Sequence, residues 1–177
     1  EIVTGDWSSD VCSSDLYLIE SKIELKRSQK KVWELISTPG ILESVHPFCK
    51  KNKVLLWKEN NEKQDLLVYL NGLEYYREFK KWDAPNGFEL NIGKKDGKKS
   101  KVVWQIKKCG GNSELKITVF PYRSSKIPKI FYFWVHYFYI KPKLKNYLSS
   151  VLNGINWYLD NKIKVKKNQF GPHPWFT

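Results

Sequence analysis

The sequence predicts an α+β fold: an antiparallel sheet of about seven strands packed on one long C-terminal helix, with two short helices after the first strand. Three observations predict it. Residues 142–160 (PKLKNYLSSVLNGINWYLD) are the only long run with a helical period. Leu144, Leu148, Val151, Leu152, Ile155, Tyr158 and Leu159 recur there every three or four residues, while Lys143, Lys145, Asn146 and Asn153 fall elsewhere. Nearly everything before that run alternates apolar with polar residues, the period of strands with one wet face. An apolar helix stripe and an apolar sheet face must cover each other, because neither element buries its own side alone.

Taken in order, residues 17–26 alternate Ile19, Ser21, Ile23 and Leu25 against Glu20, Lys22, Glu24 and Lys26, a half-buried strand. Ser28 caps a helix through Ile36, which Thr38, Pro39 and Gly40 stop; residues 41–45 suffice for one further short helix, ended by His46 and Pro47. Six strands follow, at 53–58, 65–71, 75–83, 87–93, 101–108 and 114–121. They are parted by turn signals at 59–63, 71–72, 84–87, 94–100 and 110–113. Residues 126–140 differ in character: IFYFWVHYFYI holds seven aromatics in eleven residues. The segment falls short of the about 20 apolar residues of a membrane span and reads as a short helix or extended lid. Gly154 within the long helix costs about 1 kcal/mol relative to alanine, which points to close approach to a strand or to space beside a cavity.

Residues 1–16 are set aside. DWSSDVCSSDL reads as the translated end of a sequencing adapter, and the 177-residue chain contains no Met. A non-native, disordered tail is expected, on a metagenomic fragment whose reading frame begins mid-gene, so a native N-terminal segment or signal peptide can have been lost. Residues 17–177 are expected to form one domain. Without the tail's Glu1, Asp6, Asp10 and Asp15, 14 acidic residues face 31 basic ones, a net charge of +17. Cys49 and Cys109 have neither CxxC spacing nor histidine-rich surroundings, which predicts no disulfide framework and a cytoplasmic setting.

With this order of elements, IELKRSQKKVWELISTPGILESVHPF at the front and YLSSVLNGINWYL with the NQFGPHPWF tail at the back, residues 17–177 resemble the SRPBCC superfamily. These are the helix-grip proteins, which include START lipid-transfer domains, pathogenesis-related allergens and polyketide cyclases. The resemblance implies a curved sheet gripping the long helix, with a hydrophobic cavity between them that binds a lipid-like or polyketide-like small molecule. Leu70, Tyr75, Phe79, Leu90, Trp104, Ile117, Tyr147, Val151 and Tyr158 are the candidate lining, large side chains expected to face that space.

Polar groups inside decide between carrier and enzyme. His46 follows the second short helix, and with an ordinary pKa near about 6.5 it is a candidate general base or hydrogen-bond donor; a loop cap is the plainer role. Glu74 and Arg77 fall on opposite strand faces. Arg77, in phase with Tyr75 and Phe79, is the candidate to look inward, where it needs an anionic ligand group or a carboxylate partner. No GxSxG, Walker A, GxGxxG or HExxH pattern is present, so the enzyme question stays open, with cyclase or dehydratase-type chemistry the alternative to simple binding. His136 and His173 read as structural; no metal and no cofactor are expected. Lysines at 94–101, 141–145 and 162–167 read first as solvated surface. Contact of the lysines and aromatic lid with an anionic membrane, as a peripheral lipid-transfer module, comes second and nucleic acid last. A monomer is expected.

Overall fold

The structure, a computed structural model, describes residues 17–58, 62–122 and 128–177. The expected tail, three residues of the turn at 59–63 and the start of the 126–140 segment lie outside the described residues. Seven strands form one antiparallel sheet: β1 (Ile19–Leu25), β2 (Cys49–Trp57), β3 (Lys63–Tyr69), β4 (Glu74–Asp83), β5 (Gly87–Gly93), β6 (Lys99–Cys109) and β7 (Asn112–Phe120). Their order is β1-β7-β6-β5-β4-β3-β2, a meander closed by the first strand. Between β1 and β2 lie α1 (Gln29–Ile36), whose N-cap is Ser28, and α2 (Leu42–Val45). After β7 come α3 (Lys129–Val135), a π-helical turn (His136–Ile140) and α4 (Lys141–Asn161).

The core lies between the sheet and α4. Leu148, Val151, Leu152, Ile155 and Leu159 of α4 are buried against the sheet side chains Leu67, Leu90, Trp104, Leu115 and Ile117. α4 runs along β1, where the Ser21 and Ser149 hydroxyls meet at 3.2 Å, and presses on α2. The close approach at Gly154 is to α2, not to a strand. A Cβ there would stand 2.1 Å from the Val45 carbonyl oxygen and 3.3 Å from Pro47 Cδ.

Two departures from the expected strand bounds, those of β2 and β3, bear on the site. β2 begins at Cys49 because an edge strand can be polar on both faces; its Asn52 is nonetheless buried and donates its backbone N–H to Glu43 Oε1 at 2.9 Å. β3 ends at Tyr69 with Asp65, Leu67 and Tyr69 facing inward, so Leu70 falls in the following turn and leaves the cavity wall. A shift of one residue is enough to change the face.

Candidate ligand cavity

Between sheet, α4 and the aromatic segment lies a cavity of about 390 Å³ with mostly apolar walls. Tyr75, Leu90, Trp104, Ile117, Tyr147 and Val151 line it, together with His46 and Arg77. Leu70, Phe79 and Tyr158 do not. In β4 Phe79 keeps the inward face that it shares with Arg77, and a bulge between Phe79 and Lys81 brings Trp82 onto that face as well. Phe79 thereby joins Trp57, Trp82 and Phe88 in a solid cluster of edge-to-face and stacked rings, with Trp33 of α1 against Trp82. Tyr158 lies about 16 Å along α4 from Tyr147 at 1.5 Å per residue, beyond the reach of the cavity.

The chain's last residues supply a wall that the pattern did not reveal. Phe176 stacks on Tyr69 with ring centres 4.2 Å apart, and His173 stacks on Phe176 at 5.0 Å. His173 is held by the Trp175 N–H donating to Nδ1 at 3.3 Å and by Nε2 against the Lys143 carbonyl at 3.1 Å. Asn71 ties the tail to the β3–β4 turn by donating to the Trp175 carbonyl at 2.9 Å. From the other side, Tyr132 and Ile140 of the aromatic segment complete the lining. Exposed Lys94, Gly97 and Lys98 of the β5–β6 turn also line the cavity, so it reaches the surface there.

At the buried end sits a polar cluster assembled from four elements. Arg77 and Asp65 face each other across β4 and β3, and Nε and Nη2 of Arg77 donate to the two Asp65 carboxylate oxygens at 2.7 Å each. Burial works against the guanidinium charge, but Asp65 outweighs it and the Arg77 pKa is raised. The carboxylate partner that Arg77 required is therefore its cross-strand neighbour, which becomes recognisable only once the β3–β4 register is known. Beside this pair, His46 Nε2 lies 2.9 Å from the Tyr147 hydroxyl, and that hydroxyl lies 3.0 Å from the hydroxyl of Tyr69. The Phe48 backbone N–H donates to His46 Nδ1 at 3.1 Å. Burial, helped by the charge of Arg77, lowers the His46 pKa to about 3. The imidazole is thus neutral, and its one basic nitrogen is already occupied by a backbone donor. His46 has no lone pair to offer a substrate, so the general-base role is closed to it in this arrangement. Burial also pushes both phenols upward, so each stays protonated at neutral pH. The cluster can donate hydrogen bonds and hold charge; it has no free base.

A pH dependence follows. Unfolded His46 takes up a proton near pH about 6.5 and the folded residue does so only near about 3, so between these values the unfolded state binds more protons. Stability contributed by neutral His46 is full above the unfolded pKa and is lost as pH falls toward 3, by up to about 1.4 kcal/mol per pH unit. His136 and His173, also lowered by burial, act in the same direction. Urea midpoints at pH 7, 6 and 5 should fall in that order, with a shallower slope in His46→Gln.

Sheet, gripping helix and interior cavity define the class: this chain has the helix-grip fold of the START-like proteins. A START superfamily protein from Mycobacterium smegmatis superposes with a TM-score of 0.56 at 12% identity, over 82% of this chain and 96% of that one. DynU16, a protein of the dynemicin biosynthetic locus, gives 0.64 at 10% identity over 86% of this chain and 50% of its own. BexL, a di-domain ARO/CYC protein of the BE-7585A biosynthetic pathway, gives 0.62 at 8% over 82% of this chain and 48% of its own. The chain thus spans about half the length of the latter two. No protein-family model matches it, and no curated protein matches it in sequence.

Proposed function

We propose that this chain binds a hydrophobic or aromatic small molecule between its sheet and C-terminal helix. The observation that carries the reading is the cavity of about 390 Å³, walled by Leu90, Trp104, Ile117 and Val151 and reaching the surface at the β5–β6 turn. Apolar concavities with a few convergent polar groups are the usual form of small-molecule sites. START-like and ARO/CYC neighbours support a ligand of this kind. Catalysis of the cyclase type is the alternative, and it would have to run on hydrogen-bond donors, since His46 is no base. Native mass spectrometry of protein purified without detergent tests the binding reading: a bound small molecule, released on denaturation, is expected. Protein that is empty and also fails to take up anilinonaphthalene sulfonate would sink it.

A second reading, contact with an anionic membrane, is favoured by one feature. Tyr132, His136 and Ile140 turn the inner side of α3 and the π turn toward the protein. The remaining large side chains face outward, with Ile130 76%, Trp134 58% and Phe138 65% exposed. They stack on one another rather than on the core, Phe133 on Tyr137 and Trp134 on Phe138. Monomeric proteins rarely expose so continuous an apolar patch without a use for it. Lys141 and Lys143 lie over Tyr137 and Tyr139, and a cation near an anionic lipid surface contributes about 1 kcal/mol. No helix among the described residues is long and apolar enough to cross a membrane, so the contact would be peripheral. The chain should co-sediment with phosphatidylserine-containing vesicles at low salt, and Phe131→Ser/Trp134→Ser/Phe138→Ser should abolish this without unfolding the protein. Failure of the unmodified chain to sediment would end the membrane reading.

A further inference from the structure

The polar cluster contains one hydrogen-bond donor more than its partners can use. The backbone N–H of Phe48 can only donate, so His46 Nδ1 accepts and the single proton of the neutral ring sits on Nε2. Nε2–H therefore donates to the Tyr147 oxygen. Three hydrogens, those of Nε2, Tyr147 and Tyr69, then serve two hydrogen bonds. One phenol O–H is left with no acceptor among the described residues. With Tyr147 donating to Tyr69, the free O–H is that of Tyr69; with the reverse, it is that of Tyr147. Both tyrosines line the cavity, so in either case the surplus donor belongs to its wall. Asp65 does not absorb it, since both carboxylate oxygens accept from Arg77. Arg77 itself adds donors, because Nε and Nη2 serve Asp65 while Nη1 has no partner among the described residues. A buried donor without an acceptor is costly to leave unmet.

We infer that the buried end of the cavity receives an acceptor oxygen, the carbonyl or carboxylate of an otherwise apolar ligand, on the phenol O–H left over by the His46–Tyr147–Tyr69 chain. This rests on the ligand-binding reading above and specifies the polarity of that ligand. The apolar body lies along Leu90, Trp104 and Val151, and the oxygen points at Tyr69 and Tyr147. Since Arg77 is neutralised by Asp65 and His46 carries no charge, an uncharged carbonyl fits better than a carboxylate, whose charge would lack a counterion.

Three probes of one shape test it by equilibrium dialysis: acetylnaphthalene, isopropenylnaphthalene, which replaces C=O by C=CH2, and naphthoate. Each Kd is referred to the probe's own partition from water into cyclohexane, so that hydrophobicity cancels. The ketone is expected to be favoured over the alkene by about tenfold or more, the worth of one buried hydrogen bond. Its carbonyl stretch should move to lower frequency on binding. Tyr69→Phe leaves the surplus O–H on Tyr147, and Tyr147→Phe leaves the O–H of Tyr69 and the His46 Nε2–H both unpaired, so each single variant should keep most of the preference. The triple variant His46→Leu/Tyr69→Phe/Tyr147→Phe, which also removes the Nε2–H that loss of both phenols would leave unpaired in the cavity wall, should lose most of it along with the frequency shift, while still binding the alkene, which shows that the cavity is intact. A tighter ketone than naphthoate assigns the site to neutral carbonyls; the opposite order assigns it to carboxylic acids. Equal corrected affinities for all three probes, or a preference that the triple variant keeps in full, would overturn the inference and leave apolar binding standing. If no probe binds, the ligand-binding reading falls and this inference with it.

Discussion

Replacing Gly154 by alanine should cost about 3 kcal/mol of stability, the upper end of ordinary overpacking, and disturb the cavity as well. The added methyl would stand 2.1 Å from the Val45 carbonyl oxygen and 3.3 Å from Pro47 Cδ. A backbone carbonyl cannot rotate away as a flexible side chain can. Either α4 lifts off α2 or the Val45–Pro47 backbone moves, and His46 lies within that segment. Higher helix propensity returns only about 1 kcal/mol of the loss. Asn153→Ala, on the exposed side of the same turn, gains the propensity without the clash and should be neutral or slightly stabilising. Urea denaturation separates the two, as a lower midpoint at unchanged slope for Gly154→Ala alone. Equal midpoints for the two variants would show that the α4–α2 contact is looser than 2.1 Å implies.

Breaking the buried ion pair should be as damaging in a different way. Asp65→Leu leaves the Arg77 guanidinium uncompensated, and Arg77→Met does the same to the Asp65 carboxylate. Each side chain is under a tenth exposed, so each single variant should lose about 3–5 kcal/mol. The double variant removes both charges together and should recover most of that loss, because two apolar side chains can fill the space without a desolvation penalty. A double-mutant cycle by urea denaturation measures the coupling. Losses that simply add would mean that the two residues do not act as a pair. With both charges gone, the His46 pKa should rise as well, since the charge of Arg77 is the second cause of its depression after burial.

Elements with a strong period were legible from residues alone. The helix expected at 142–160 is Lys141–Asn161, and the strand expected at 87–93 is Gly87–Gly93, because long stripes and glycine-bounded alternation admit one register. Where a bulge or a strand end intervened, the reading slipped: Leu70 lies one residue past β3, and the β4 bulge turns Trp82 onto the face of Phe79, which packs that ring into the tryptophan cluster. Nothing in the alternation of β3 marked Asp65 as the partner of Arg77. A carboxylate on a strand reads as a solvated residue until the register sets a guanidinium opposite it.

By itself, then, the sequence determined the α+β class, the order of elements, the amphipathic face of α4 and the need for a partner at Arg77. These follow from local periods and from the cost of burying a lone charge. Only the tertiary structure decided that His46, Tyr69 and Tyr147 form one chain of hydrogen bonds, and that Phe176 folds back to wall the cavity. His46 and Tyr147 are 101 residues apart, and no local pattern encodes a contact made by folding a sheet around a helix. The direction of that hydrogen-bond chain, and the donor it leaves over, hangs on one backbone N–H, that of Phe48.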